Sequence, residues 1–243
     1  MFKRALDLLP AENEVVKVLT QKDFYVIQYY GRTLLGRLYS WIFWKRYEII
    51  MEFLTVRARV RQCQRVLDGG CGAMFLGYAL TRRFNVEYVG IDILPSRTLR
   101  QYKQLIASCA GKPINVVRAS AEKCPFRSSV FHHSFLLDVL EHLEKPKEAI
   151  KEISRINQED GFIIVSLPLE KVFTRLNRAA SFILHGWVPK GEKEDHYVGD
   201  LSSYEIMVRY IEKGHEKIAS NYSPLGIIEA INFSAIHFFR KKS

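Results

Sequence analysis

Residues 68–74 read Asp-Gly-Gly-Cys-Gly-Ala-Met and follow a short apolar run. A glycine-rich turn between a buried strand and a helix lets the backbone come close to a ligand. Asp92 ends the next apolar run, 24 residues after Asp68. A carboxylate there suits hydroxyl groups, which it binds through charge-assisted hydrogen bonds. Further along, LLDVLEHL (136–143) holds Asp138, Glu141 and His142, candidate acid–base groups, of which histidine titrates nearest neutrality. His132 and His133 are adjacent, so in a strand they point to opposite faces and do not share one metal. Cys63, Cys71, Cys109 and Cys124 show no metal-ligand spacing and read as reduced thiols.

Three ligands compete for the turn. A phosphate-gripping loop needs a Lys-Ser or Lys-Thr after its glycines, and none follows here. A dinucleotide fingerprint wants a third glycine where Phe75 stands, and Asp68 is an awkward neighbour for a pyrophosphate. A cofactor that carries a cation and no phosphate tolerates the acidic turn.

The elements that position these residues alternate. RVLD (65–68), EYVGID (87–92), INVVRAS (114–120), VFHHSFLLD (130–138) and GFIIVSLP (161–168) read as strands, with helices expected at about 75–83, 95–109 and 147–156. The strands lack polar/apolar alternation, which suits burial on both faces and βαβ units in a doubly wound, mostly parallel sheet. Residues 13–62 are helical in pattern and rich in aromatics. A capped helix is expected at 201–214, with Ser202 and Glu205 as its capping box and Gly214 at its C-cap. Two closing strands are read near 217–223 and 230–239.

Asp68-x-Gly70-x-Gly72 with Asp92 resembles the class I S-adenosylmethionine-dependent methyltransferases, in particular the type 11-like domain. GIDILP (90–95), RASAEKCPF (118–126) and the block 130–168 match the family's later segments in order. The resemblance implies a seven-stranded Rossmann-like α/β sheet and S-adenosylmethionine as cofactor. It places Asp68, Gly69, Gly70, Cys71, Gly72, Asp92, Ile93, Ser120, Ala121, Leu137 and Asp138 at the cofactor, with Asp92 on the ribose hydroxyls and Ser120-Ala121 at the adenine edge. Asp138 and His142 are its candidate catalytic residues, and no metal is expected. Met74 departs from the pattern, standing where a glycine commonly completes the turn, and packing on the helix flank is the favoured reading.

The implied organisation is a helical extension or cap (1–62) before a cofactor-binding domain (63–243), with 169–200 as an insertion or lid. No signal peptide or uninterrupted apolar span is read, so a cytoplasmic protein is expected, with peripheral membrane contact open. The formal net charge is +10, and residues 1–65 carry 12 Lys/Arg against 6 Asp/Glu. That excess points to an anionic partner. The segment after strand four lacks the Asn/Asp-Pro-Pro-aromatic motif of base-modifying enzymes, which favours a small-molecule, sugar or lipid-like acceptor. RNA modification through the basic region and a catalytically silent cofactor-binding role are the alternatives.

Overall fold

The computed structural model describes residues 8–19, 30, 34–169, 203–223 and 234–242. The helices are α1 (Glu12–Val15), α2 (Leu34–Val56), α3 (Phe75–Phe84), α4 (Ser96–Ala110), α5 (Pro146–Ile156) and α6 (Tyr204–Gly214). The strands are β1 (Arg65–Gly69), β2 (Glu87–Asp92), β3 (Asn115–Arg118), β4 (Phe131–Leu137), β5 (Asn157–Pro168), β6 (His215–Ser223) and β7 (Ser234–Lys241). They form one seven-stranded sheet in the order β3-β2-β1-β4-β5-β7-β6. The first five strands pair in parallel, and β7 runs antiparallel to both β5 and β6.

Burial on both faces explains the unbroken apolar runs. Val66, Phe135 and Phe162 belong to the core under α2, α3 and α4, whereas Leu67, Leu136 and Ile163 belong to the core under α5 and α6. Successive residues of each strand therefore feed opposite cores. From β1 the chain winds outward through β2 and β3, then crosses back to β4 on β1's other side. That reversal leaves a crevice beyond the carboxyl ends of β1 and β4, the place where open α/β sheets bind ligands.

Local chemistry sets the helix ends. Pro146 opens α5 at a position whose N–H has no helical partner. Asn85 and Gly111 close α3 and α4 in the left-handed conformation that those residue types tolerate. The cap of α6 differs from the expected capping box: Ser203, not Ser202, is the N-cap, its Oγ accepting from the Ile206 N–H at 3.3 Å. Gly214 is the last helical residue, and an extended His215 follows it as the C-cap. The proposed lid at 169–200 lies outside the described residues apart from Leu169.

Helix α2 is what couples the N-terminal region to the sheet. Phe53 stacks on Phe238, with centroids 3.7 Å apart, and meets Phe162 edge-on at 5.1 Å. Two turns earlier on the same helix face, about 10 Å along the axis, comes Arg46. The helix ends near the amino end of β1, so its earlier turns project past the carboxyl ends.

Candidate active site

The carboxyl ends of β1, β2 and β4 enclose a cleft of about 390 Å³. Of the residues expected at a cofactor site, Asp68, Gly70, Cys71, Gly72, Asp92, Ile93, Ser120, Ala121, Leu137, Asp138 and His142 all line it. Gly69 does not. It pairs within β1, and a Cβ there would meet Leu136 Cδ2 at 2.8 Å, so its smallness serves the contact between strands.

The glycine loop is tight for two reasons. Gly70 has φ +72°, and a Cβ on it would sit 2.4 Å from Val139 Cγ2. Gly72 is also left-handed, at φ 47°. Both positions therefore favour glycine. Four of the loop's donors are committed: the Gly70 and Cys71 N–H groups donate to the Ile91 carbonyl, Met74 N–H to the Cys71 carbonyl, and Gly72 N–H to Asp92 Oδ2 at 2.8 Å. A phosphate cradle needs such N–H groups aimed at the ligand. Here these four point into the protein, which counts against the phosphate reading.

Asp92 holds two loops at once, because its Oδ1 also accepts from the Leu94 N–H at 3.0 Å. Each carboxylate oxygen keeps lone-pair capacity for a ligand hydroxyl. Beside it Ile93 is 71% exposed at the cleft wall, an apolar face for an aromatic ring. Ser120 accepts from the Glu122 N–H at 3.1 Å and keeps its own O–H to donate.

Asp68 is buried, and Tyr88 Oη donates to its Oδ2 at 2.7 Å. Burial raises its pKa to about 7, opposed by the Tyr88 hydrogen bond, with Asp92 adding to the rise and Arg46 moderating it. The Cys71 thiol is pushed well up by burial and then by Asp68, and Cys124 to about 12. Neither is a nucleophile.

At the β4 end, Asp138 turns left-handed at φ 54°. Its carboxylate is bonded by Ser166 of β5 and by the Arg46 guanidinium. Arg46 is 4% exposed and lies against the rings of Phe43 and Tyr47. His142 follows on a 3₁₀ turn (Leu140–His142), exposed to the cleft, with Nε2 4.0 Å from Oε1 of the buried Glu141. Burial, followed by the nearby Asp138, holds the Glu141 carboxyl well above the usual range. His132 and His133 serve the backbone: their Nδ1 atoms accept from the N–H groups of Arg65 and Phe162.

Sequence reasoning missed Arg46 and Tyr47. It counted Arg46 only within the basic excess of residues 1–65, read as pointing to an anionic partner. The structure corrects this: Arg46 lines the cleft, and Lys45 pairs with Glu48 at 2.8 Å. The side chain of Arg37 lies outside the described residues. One signal was available, since a lone arginine inside an aromatic-rich apolar run needs a buried partner.

Met74 takes φ 60° at the N-cap of α3, the conformation a glycine would favour, yet its side chain is fully buried in the core and absent from the cleft wall. Two effects therefore oppose each other at this residue. Thermal denaturation of Met74→Gly and Met74→Ala should show both destabilised, by about 2–4 kcal/mol for the lost burial. Glycine should nonetheless be the milder change by about 1 kcal/mol, reversing the usual helix order. Alanine the milder would mean the left-handed turn carries no strain.

Comparison with known proteins agrees with this geometry. Residues 67–165 match the family model described as a methyltransferase domain. Among solved structures, the PH0226 protein from Pyrococcus horikoshii OT3 is 17% identical at a TM-score of 0.65, covering 94% of this chain and 99% of that one. Magnesium protoporphyrin IX methyltransferase (ChlM) from Synechocystis PCC 6803, solved with S-adenosylhomocysteine bound, is 14% identical at a TM-score of 0.66, covering 95% and 94%. The [4+2]-cyclase SpnF is 15% identical at a TM-score of 0.60, covering 82% and 81%. At these identities the structures establish the fold. No curated protein matches the sequence.

Proposed function

We propose that the chain, whose residues 67–165 match a methyltransferase-domain model, is a class I S-adenosylmethionine-dependent methyltransferase that methylates a small-molecule acceptor held between the carboxyl end of β4 and helix α2. When bound, the cofactor supplies an electrophilic methyl group on a sulfonium. The residues present suit it: a tight glycine loop, the Asp92 carboxylate for the ribose hydroxyls, and Asp68 near the methionine end with its sulfonium.

The observation that carries the small-molecule reading is the cleft itself. Arg46 and Tyr47 of α2 line the β4 end of the cleft, a half-open space of about 390 Å³ on the scale of small ligands. Arg57, Arg59 and Arg61 are exposed just before β1, at the pole of the sheet opposite the cleft. An RNA or membrane bound there would not be presented to the site. Residues 1–62 act as the cap, 63–243 as the catalytic domain and 169–200 as a lid in this reading.

His142 is the better general base. Asp138 shares its carboxylate with Arg46 and Ser166, whereas the imidazole of His142 lines the cleft with more than half of its side chain exposed. Substrate positioning then does much of the remaining work. Methyl-labelled S-adenosylmethionine, incubated with separated small-molecule, lipid and RNA fractions, should place the label on the small molecules. With the acceptor so found, His142→Asn should lower kcat roughly 10²- to 10⁴-fold and leave S-adenosylhomocysteine affinity within about twofold. Label in RNA would overturn the acceptor class, and an unchanged kcat would remove His142 from the mechanism.

A further inference from the structure

One guanidinium at the β4 end of the cleft meets several carboxyl groups. Arg46 bonds to Asp138, and Asp68 and Glu141 both lie close enough to feel its charge. Among the described residues lining the cleft it is the one arginine or lysine. The Gly70, Cys71, Gly72 and Met74 N–H groups of the loop are spent within the protein. Among the described residues, a carboxylate entering this end has Arg46 as its one arginine or lysine partner.

The partner arrangement narrows the ligand. The Asp138 side chain is 28% exposed, against 5% for Arg46. A buried cation left unpaired would be costly, so whatever displaces Asp138 must itself be an anion. The carboxylate released from Arg46 then needs a cation or water, and its exposure gives it access to either. A zwitterionic α-amino acid group answers both demands at once, with its carboxylate on Arg46 and its ammonium near Asp138.

We propose that Arg46 is a carboxylate receptor, held by α2 at the β4 end of the cleft so that a ligand's carboxylate exchanges with that of Asp138. This rests on the S-adenosylmethionine reading. The carboxylate has two possible sources, the amino-acid tail of the cofactor or an acidic acceptor, and the zwitterion argument favours the tail. Arg46 in that role is a ligand-binding residue delivered from outside the βαβ framework. It explains why a helix that precedes the glycine loop by a dozen residues is anchored so firmly by Phe53.

Calorimetric titration of the full chain and of Arg46→Gln tests it, with S-adenosylhomocysteine and 5′-methylthioadenosine as probes. The second probe keeps the adenosine and the thioether but has no amino-acid group. Arg46→Gln should bind S-adenosylhomocysteine roughly 10- to 100-fold more weakly, the loss expected for a charge-assisted contact. It should bind 5′-methylthioadenosine within about twofold of wild type, and Arg46→Lys should fall between. Equal loss of both probes would overturn the proposal, because Arg46 would then act through the fold. Unchanged S-adenosylhomocysteine binding moves the test to the loaded enzyme, titrated with 4-hydroxybenzoate and its methyl ester. Binding of the acid alone, lost in Arg46→Gln, puts the carboxylate on the acceptor; no loss in either arm overturns the proposal. Failure of both probes to bind wild type would instead refute the underlying cofactor reading.

Discussion

Asp92→Ala should weaken S-adenosylhomocysteine binding by more than about 100-fold. A lost charge-assisted contact accounts for roughly 1.5–3 kcal/mol, which is already about 10- to 150-fold. The structure adds a second loss. Asp92 accepts from Gly72 N–H at 2.8 Å and Leu94 N–H at 3.0 Å, so one carboxylate fixes both the glycine loop and the turn after β2. Without it, the ligand must also order those loops on binding. Asp92→Asn should fare little better than alanine, because an amide turns a donor toward one of the two backbone N–H groups. Calorimetry on both variants checks this, and an asparagine variant that binds like wild type would show that the loops hold themselves.

The second large effect concerns Asp68 and has opposite signs for stability and binding. Its folded pKa is about 7 against an ordinary value of 3.8. Between those values the folded state holds more protons than the unfolded state, so this group makes stability fall as pH rises from about 4 to 7. Above pH 7 the penalty is complete. Asp68→Asn removes it and keeps an acceptor for Tyr88 Oη. The variant should therefore melt higher than wild type at pH 8, by up to about 4 kcal/mol, with the difference closing near pH 4.

Binding runs the other way. The cofactor's sulfonium and ammonium favour the ionised carboxylate, so wild type should bind S-adenosylmethionine about tenfold more tightly at pH 8 than at pH 6, the ratio of ionised fractions about a pKa near 7. Proton release in the intervening range should appear as a buffer-dependent heat. Asp68→Asn should bind weakly and with little pH dependence. A wild type whose affinity is flat from pH 6 to 8 would show that Asp68 does not face those cations.

Much of this site was legible in the sequence because its parts are local. Asp68 and Gly70 sit at the end of an apolar run, and Asp92 ends the next, so strand boundaries alone bring them to one edge of a parallel sheet. The same holds for Leu137, Asp138 and His142 after β4. What was not legible depends on contacts distant in the chain. Arg46 meets Asp138 across 92 residues, and nothing in the periodicity of α2 says which of its charged residues turns inward. Backbone conformation was the other blind spot. Met74 is left-handed because the loop's closure demands it, although the residue type argues against it. At α6 two adjacent serines offered the same chemistry, and only the helix phase chose Ser203 over Ser202. Gly69 shows a role the motif does not announce: a Cβ there would meet Leu136, so its smallness serves strand packing.

The account stands on the cleft being a site for S-adenosylmethionine, and one calorimetric comparison tests that most directly. The protein would be titrated at pH 8 with S-adenosylhomocysteine, ATP and NAD in parallel. Saturable binding of S-adenosylhomocysteine at one site per chain, with no heat from the two phosphate-bearing ligands, is the predicted result. Binding of ATP or NAD with none of S-adenosylhomocysteine would contradict it.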